Sequence, residues 1–256
     1  MKRVLSVFLV LACFVSGTRS EAAGERWPAE KANQWHAQQP WLVGCNFTPS
    51  TAINQLEMWQ ADTFDPQTID RELGWAEDLG MNMIRVYLHD LLWQQDSEGF
   101  LRRMDQFLAI ADKHHIKVMF VPLDGGWCPI PKLGKQPEPM PRTHNSGWLQ
   151  APHVDILKDP ARHGELEGYI KGIMTRYKDD PRVLLWDLYN EPAQGNIPLY
   201  QQYELENKRE LALLLQKKLF QWGREVNPSQ PLSVGLWQGD WREDKLDELN
   251  RFTLDN

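Results

Sequence analysis

Residues 182–192 read Arg182-Val183-Leu184-Leu185-Trp186-Asp187-Leu188-Tyr189-Asn190-Glu191-Pro192. Five of the first eight are apolar, which suits a short buried strand, and Asn190-Glu191-Pro192 falls where that run ends. Pro192 has no N–H to give to a sheet ladder, so pairing stops there and Glu191 is presented at the strand's carboxyl end. In parallel barrels that end carries the catalytic groups. A bare Asn-Glu-Pro says little by itself. Its place on an apolar strand, among repeated strand–helix units, gives it weight.

The same alternation extends to both sides of this stretch. Residues 41–47 predict a first strand, and residues 81–88 a second that carries Arg85 and ends at His89-Asp90. Residues 117–123 predict a third, apolar almost throughout, as for a parallel strand covered on both faces. Residues 231–237 predict a fifth. Between them, Asp65-Pro66 starts a helix with Ile69, Leu73, Ala76 and Leu79 on one face and Gly80 at its end. Ser97 is the expected cap of the next, whose apolar face is Phe100, Leu101, Met104, Phe107, Leu108 and Ala111. Leu166, Tyr169, Ile170, Ile173, Met174 and Tyr177 mark another. A long helix over 199–226 and an amphipathic stretch over 243–252 complete the set. Residues 24–40 read as a polar lead-in, and 48–64 as a loop containing Trp59. The proline-rich residues 124–159, with Trp127, His144 and Trp148, read as an ordered lid.

Strand–helix units in series imply a parallel sheet with right-handed crossovers. A doubly wound sheet and a closed barrel both fit. No Gly-x-Gly-x-x-Gly follows any strand, which removes the support for a dinucleotide site and favours the barrel. The expected fold class is α/β, a partial TIM (β/α)8 barrel with about five βα units.

The chain has 256 residues, 42% hydrophobic and 25% charged, enough for one large core. A net charge of −7 without a basic cluster argues against nucleic acid as a partner. Twelve tryptophans, several in loops, suit either sugar stacking or packing. Lys2-Arg3 followed by the apolar residues 4–15, too few to span a bilayer, predict a signal peptide over 1–23 and export to the periplasm or beyond, with the barrel domain over 24–256. Val10-Leu11-Ala12-Cys13 gives a lesser reading, lipid anchoring through Cys13. Cys45 and Cys128 read either as a pair or as two buried thiols. His114 and His115 are adjacent on a helix, no His-Glu-x-x-His occurs, and no Gly-x-Ser-x-Gly occurs. Neither a metal, another cofactor nor a serine nucleophile is expected.

Trp-Asp-Leu-Tyr-Asn-Glu-Pro on the fourth strand and Ile-Arg-Val-Tyr on the second carry a likeness. From about residue 35 to 256 the chain resembles the clan of retaining (β/α)8-barrel glycoside hydrolases that includes the family 5 cellulases. The resemblance implies Glu191 as acid/base, Asn190 as the contact to the sugar hydroxyl beside the reacting carbon, and Arg85 as the group that holds the nucleophile ionised. The clan's nucleophile is a glutamate on the seventh strand, so the resemblance implies a barrel lacking its last three units and inactive alone. Asp124-Gly125-Gly126-Trp127 stands where family 5 enzymes often carry histidine.

Retaining hydrolysis needs two carboxyl groups about 5 Å apart across the glycosidic bond, one of them protonated near neutral pH. Asp90, Asp124, Asp187 and Asp240 lie on or after strands, but each reads more simply as a loop cap, a supporting partner or a buried hydrogen-bonding group. Strict alternation puts Asp187 on the side of Tyr189 and Glu191. Tyr189, His89, Trp127 and Trp237 are candidate substrate contacts, His89 equally a loop cap. The expected partner is a carbohydrate. The alternative reading, a non-catalytic carbohydrate-binding protein, uses the same face without a second acid. Unpaired first and fifth strands predict a poorly stable free-standing chain.

Overall fold

A computed structural model describes residues 25–256. The expected signal peptide and Cys13 lie outside the described residues. Five parallel strands form one sheet: β1 (Gly44–Asn46), β2 (Met83–Tyr87), β3 (Lys117–Val121), β4 (Val183–Asn190) and β5 (Leu232–Gly235). Their spatial order is their order in the chain. This decides between the two architectures open to the sequence. A doubly wound sheet reverses direction at a switch point, whereas consecutive right-handed crossovers in one direction stack every helix on one face, as in a barrel wall.

The helices do form one layer. α1 (Ala29–Ala37) precedes the sheet, α2 (Gln55–Trp59) and α3 (Pro66–Asp78) lead into β2, and α4 (Asp90–Lys113) leads into β3. The short α5 (Val154–Leu157) and α6 (Glu167–Tyr177) precede β4, α7 (Lys208–Val226) precedes β5, and α8 (Glu248–Leu254) follows it. α3 packs on α4, α4 on α6, α6 on α7 and α7 on α8. Among the described residues no helix is long and apolar enough to cross a membrane.

Sheet side chains divide cleanly. Ile84, Val86, Val118, Phe120 and Trp186 are buried beneath the helices, with Leu73, Phe107, Ile173 and Leu215 against them in one core. The alternate positions Met83, Arg85, Met119 and Leu185 are only half-buried. The third strand is therefore covered fully on one face, not on both as its composition implied. Its inner face is the barrel interior.

Several boundaries differ from expectation for identifiable reasons. Trp59 is not in a loop but ends α2, fully buried. Its Nε1 donates to the Tyr87 carbonyl at 2.9 Å, and its ring meets Phe100 and Phe107 edge-on. The cap in α4 is Asp96, not Ser97: Asp96 leaves helical geometry and its Oδ1 accepts from the Gly99 N–H at 2.8 Å. The long helix expected over 199–226 is two pieces, a 3-10 segment Pro198–Tyr203 and then α7. Leu79 caps α3 and is exposed rather than on its apolar face. Cys45 is exposed and Cys128 half-buried, and both are free thiols.

His114, which caps the end of α4, ties that helix to α3. Its Nδ1 lies 2.9 Å from Glu77 Oε2 and its Nε2 2.7 Å from Asp70 Oδ1, both on α3. Burial disfavours the imidazolium, but the two carboxylates outweigh it and the pKa is raised. A raised folded value means the contact stabilises fully below the unfolded histidine value of about 6.5, and the gain is lost as pH rises through the folded value. The urea midpoint of His114→Asn should therefore lie below that of the parent at pH 5.5 and converge on it at pH 9. Equal deficits at both would contradict the charge-based tie.

Candidate active site

The carboxyl ends of β2, β3, β4 and β5 meet around Arg85. Its Nε donates to Asp187 Oδ2 at 2.9 Å, and Nη2 donates to the same oxygen and to Asn190 Oδ1 at 2.7 Å. Nη1 reaches the Tyr87 hydroxyl and, at 3.4 Å, Asn46 Oδ1. Asp187 accepts on its other oxygen from the Gly235 N–H at 2.9 Å. One guanidinium thus binds β1, β2 and β4 together, and its counterion clamps β5. Burial opposes the Arg85 charge, but Asp187, joined by Tyr87 and Asp124, more than offsets it and the guanidinium pKa is raised.

Asn190 reaches Arg85 because β4 is irregular. Asp187 pairs with Ser233 and Asn190 with Gly235, so three residues of β4 are spanned by two of β5. That extra residue is a bulge, and it breaks the two-residue period. Asp187 and Asn190 consequently share a partner. The expectation that Asp187 and Tyr189 would share the open face with Glu191 is corrected: Tyr189 is fully buried in the core, with no hydrogen-bond partner for its hydroxyl.

Glu191 follows with φ of 45°, in the left-handed region that side-chain-bearing residues seldom enter. Its N–H donates to the Gly235 carbonyl at 2.7 Å, which fixes the turn. The preceding carbonyl, of Asn190, accepts from the Gly125 N–H at 2.8 Å. A Cβ on Gly125 would stand 2.2 Å from the Glu191 carbonyl oxygen, so only glycine lets the two backbones meet. The Glu191 carboxyl is half-buried. Burial raises its pKa above the usual carboxylate range, Asp187 adds to the rise, and Arg85 opposes it.

Asp124, at the exit of β3, is buried and accepts on Oδ1 from Asn190 Nδ2 and from the Gly126 N–H, both at 3.2 Å. Desolvation pushes its pKa up to about 7. Lys208 of α7 is also buried, its ammonium donating to the Gln194 carbonyl, and burial lowers its pKa. By sequence, Asp124 reads only as a supporting group or a lesser nucleophile candidate, and neither Lys208 nor Gln194 stands out. An Asp-Gly-Gly directly after an apolar strand is the one signal present.

The remaining candidates lie further out. His89 is fully buried and caps α4, accepting from the Leu91 N–H at 3.1 Å, with Nε2 3.2 Å from the Gln150 carbonyl oxygen. It supports the 124–159 segment and is not on the surface. That segment is an ordered strap: Asp124 pairs with Ala151 and Cys128 with Leu149, and Trp148 meets Tyr87 edge-on with ring centroids 4.9 Å apart. Trp127 is nearly buried against His144, while Trp237, beyond β5, is exposed. Asp90 is buried beside His89, and Asp240 is ion-paired with Arg242. A separate cavity of about 350 Å³ lies at the amino end of β5, lined by Trp27, Arg224, Leu232 and Asn256. It has no part in this cluster.

This fold has solved counterparts. The endo-1,4-beta-mannanase from Rhizomucor miehei superposes with a TM-score of 0.51 at 17% identity, covering 78% of this chain and 60% of that one. The beta-mannanase of the blue mussel Mytilus edulis gives 0.54 at 14% identity, over 77% of this chain and 59% of its own. The chain thus has the fold of a partial TIM barrel, and the resemblance to barrel glycoside hydrolases is borne out at that level. A probable mannan endo-1,4-beta-mannosidase C from Aspergillus terreus is 40% identical over 43 residues, 17% of this chain and 11% of its own. No family model matches. The chain spans about 60% or less of the length of each of these relatives.

Removing one partner of the Arg85–Asp187 pair leaves a charge buried without compensation. Arg85→Met is expected to lower unfolding free energy by about 3–5 kcal/mol, read by urea denaturation. Arg85→Met with Asp187→Leu is expected to cost less than either single change. Additive losses would show that the two groups are not coupled.

Proposed function

We propose that this chain is the larger part of a glycoside hydrolase that cleaves O-glycosidic bonds of a poly- or oligosaccharide with retention, Glu191 serving as acid/base. The observation that carries the reading is Glu191 itself: a half-buried carboxyl at the end of β4, with a raised pKa, beside the Arg85–Asn190–Asp187 network. A general acid works best with a raised pKa, and burial shifts Glu191 in that direction. Asn190 is assigned the sugar hydroxyl next to the reacting carbon, and Arg85 the neighbourhood of the nucleophile. Asp187 is committed to Arg85 and Gly235, and Asp124 is buried, so the attacking carboxylate is assigned to polypeptide other than residues 25–256. Residues 24–256 would then be a barrel domain lacking three units, and residues 1–23 an export signal. The mannanase neighbours make β-1,4-mannan the first substrate class to try. Exposed Trp237 is the better stacking surface, whereas Trp127 is nearly buried within the strap.

In the proposed mechanism, Glu191 protonates the leaving oxygen as the nucleophile attacks the anomeric carbon, giving a glycosyl-enzyme. The ionised Glu191 then takes a proton from water, which releases the sugar with retained configuration. In the full gene product, Glu191→Gln should reduce kcat/KM on an unactivated oligosaccharide about 10²–10⁴-fold, but far less on an aryl glycoside whose leaving group needs no proton. Added azide should restore turnover to Glu191→Ala. Unchanged hydrolysis of the unactivated substrate would end the assignment. The binding-protein reading is favoured instead if the parent protein binds oligosaccharide, turns over none, and Glu191→Gln alters only affinity.

A further inference from the structure

The Asn190 amide is held at both ends by charged neighbours. Arg85 Nη2 donates to its Oδ1 at 2.7 Å, and its Nδ2 donates to Asp124 Oδ1 at 3.2 Å. Rotating the amide by 180° would set NH2 against the guanidinium and oxygen against the carboxylate, two mismatched contacts. The pair of charges therefore selects one orientation. Of the two N–H bonds on Nδ2, one is taken by Asp124 and one remains for a ligand.

Asp124 is built in as firmly as Arg85. Its backbone N–H and C=O both pair with Ala151 at 2.9 Å, and Gly126 donates to its Oδ1. Its Oδ2 is sealed from solvent with no donor in reach. The charged and titratable groups electrostatically linked to it are Arg85 and Tyr87 from β2, Tyr189 from β4, Glu191 just beyond β4, and Lys208 from α7. Arg85 and Lys208 favour its ionised form, and Glu191 opposes it. Burial dominates and brings its titration to about 7.

We propose that Asp124 is a positioning residue whose charge sets the grip on the Asn190 amide, so that this sugar-facing group is held firmly when Asp124 is ionised and loosely when it is protonated. A proton arriving on Oδ2, the oxygen without a donor, turns the charge-assisted bond on Oδ1 into a weaker neutral one. The functional consequence rests on the carbohydrate-site reading, but the grip itself does not.

The test is therefore read without substrate. In the full chain labelled with ¹⁵N-asparagine, the Asn190 side-chain NH2 pair is identified by its loss in Asn190→Ser and followed from pH 5 to 9. A step with a midpoint near 7 is expected in the parent protein. Asp124→Asn should abolish the step, and Glu191→Gln should move the midpoint to lower pH by removing the opposing charge. No step in this range, a step that survives Asp124→Asn, or a midpoint unmoved by Glu191→Gln would overturn the proposal. Should Asp124→Asn fail to fold, the parent titration and the Glu191→Gln shift decide it. A full gene product that shows these shifts yet hydrolyses nothing would sink the enzymatic reading alone, and the converse result would sink the positioning role alone.

Discussion

The interaction on which the site depends is the burial of one guanidinium. A charge drawn out of water needs a counterion and a full set of acceptors. Arg85 finds them on three strands: Asp187 and Asn190 on β4, Tyr87 on β2 and Asn46 on β1. These partners fix the relative height of the strands at the carboxyl edge. The bulge in β4 follows from the same demand, because regular alternation would leave Asp187 and Asn190 on opposite faces.

What happens at residue 191 is a consequence. With Asn190 turned onto Arg85, the chain leaves the strand through a left-handed residue whose N–H is caught by Gly235. The backbone leaving β3 presses against this turn from the other side, and a glycine at 125 is the only residue that fits. The carboxyl of Glu191 thereby stays half out of water beside a like charge on Asp187, and both raise its pKa. Strain, close backbone approach and electrostatics all converge on one side chain. Strain and desolvation of that kind cluster at functional sites, and the carboxyl edge of a parallel barrel is where such sites lie.

The scaffold and the candidate residues at its carboxyl edge were legible in the sequence. The strand–helix alternation, the strand carrying Arg85 and the apolar run ending at Glu191 are carried by local pattern, which periodicity reads directly. What periodicity cannot read is where the pattern breaks. The bulge between Asp187 and Asn190 leaves no local mark, so Tyr189 looked outward-facing when it is core. Trp59 looked like loop because α2 is only five residues long, yet its ring is buried by α4 and β2, distant in sequence. Asp96 displaced Ser97 as a cap because its side chain reaches Gly99, a choice between neighbours that composition leaves open. Asp124 and Lys208 matter through burial, and burial is a tertiary property.

The central claim, that Glu191 and Asn190 face one sugar across a glycosidic bond, is tested most directly by a crystal structure of Glu191→Gln bound to a β-1,4-mannooligosaccharide. The expected result puts the amide at 191 within hydrogen-bond distance of a bridging glycosidic oxygen, and Asn190 Nδ2 on the hydroxyl next to the same sugar's anomeric carbon. A sugar seated elsewhere on the chain, with residue 191 turned to bulk solvent, would contradict it.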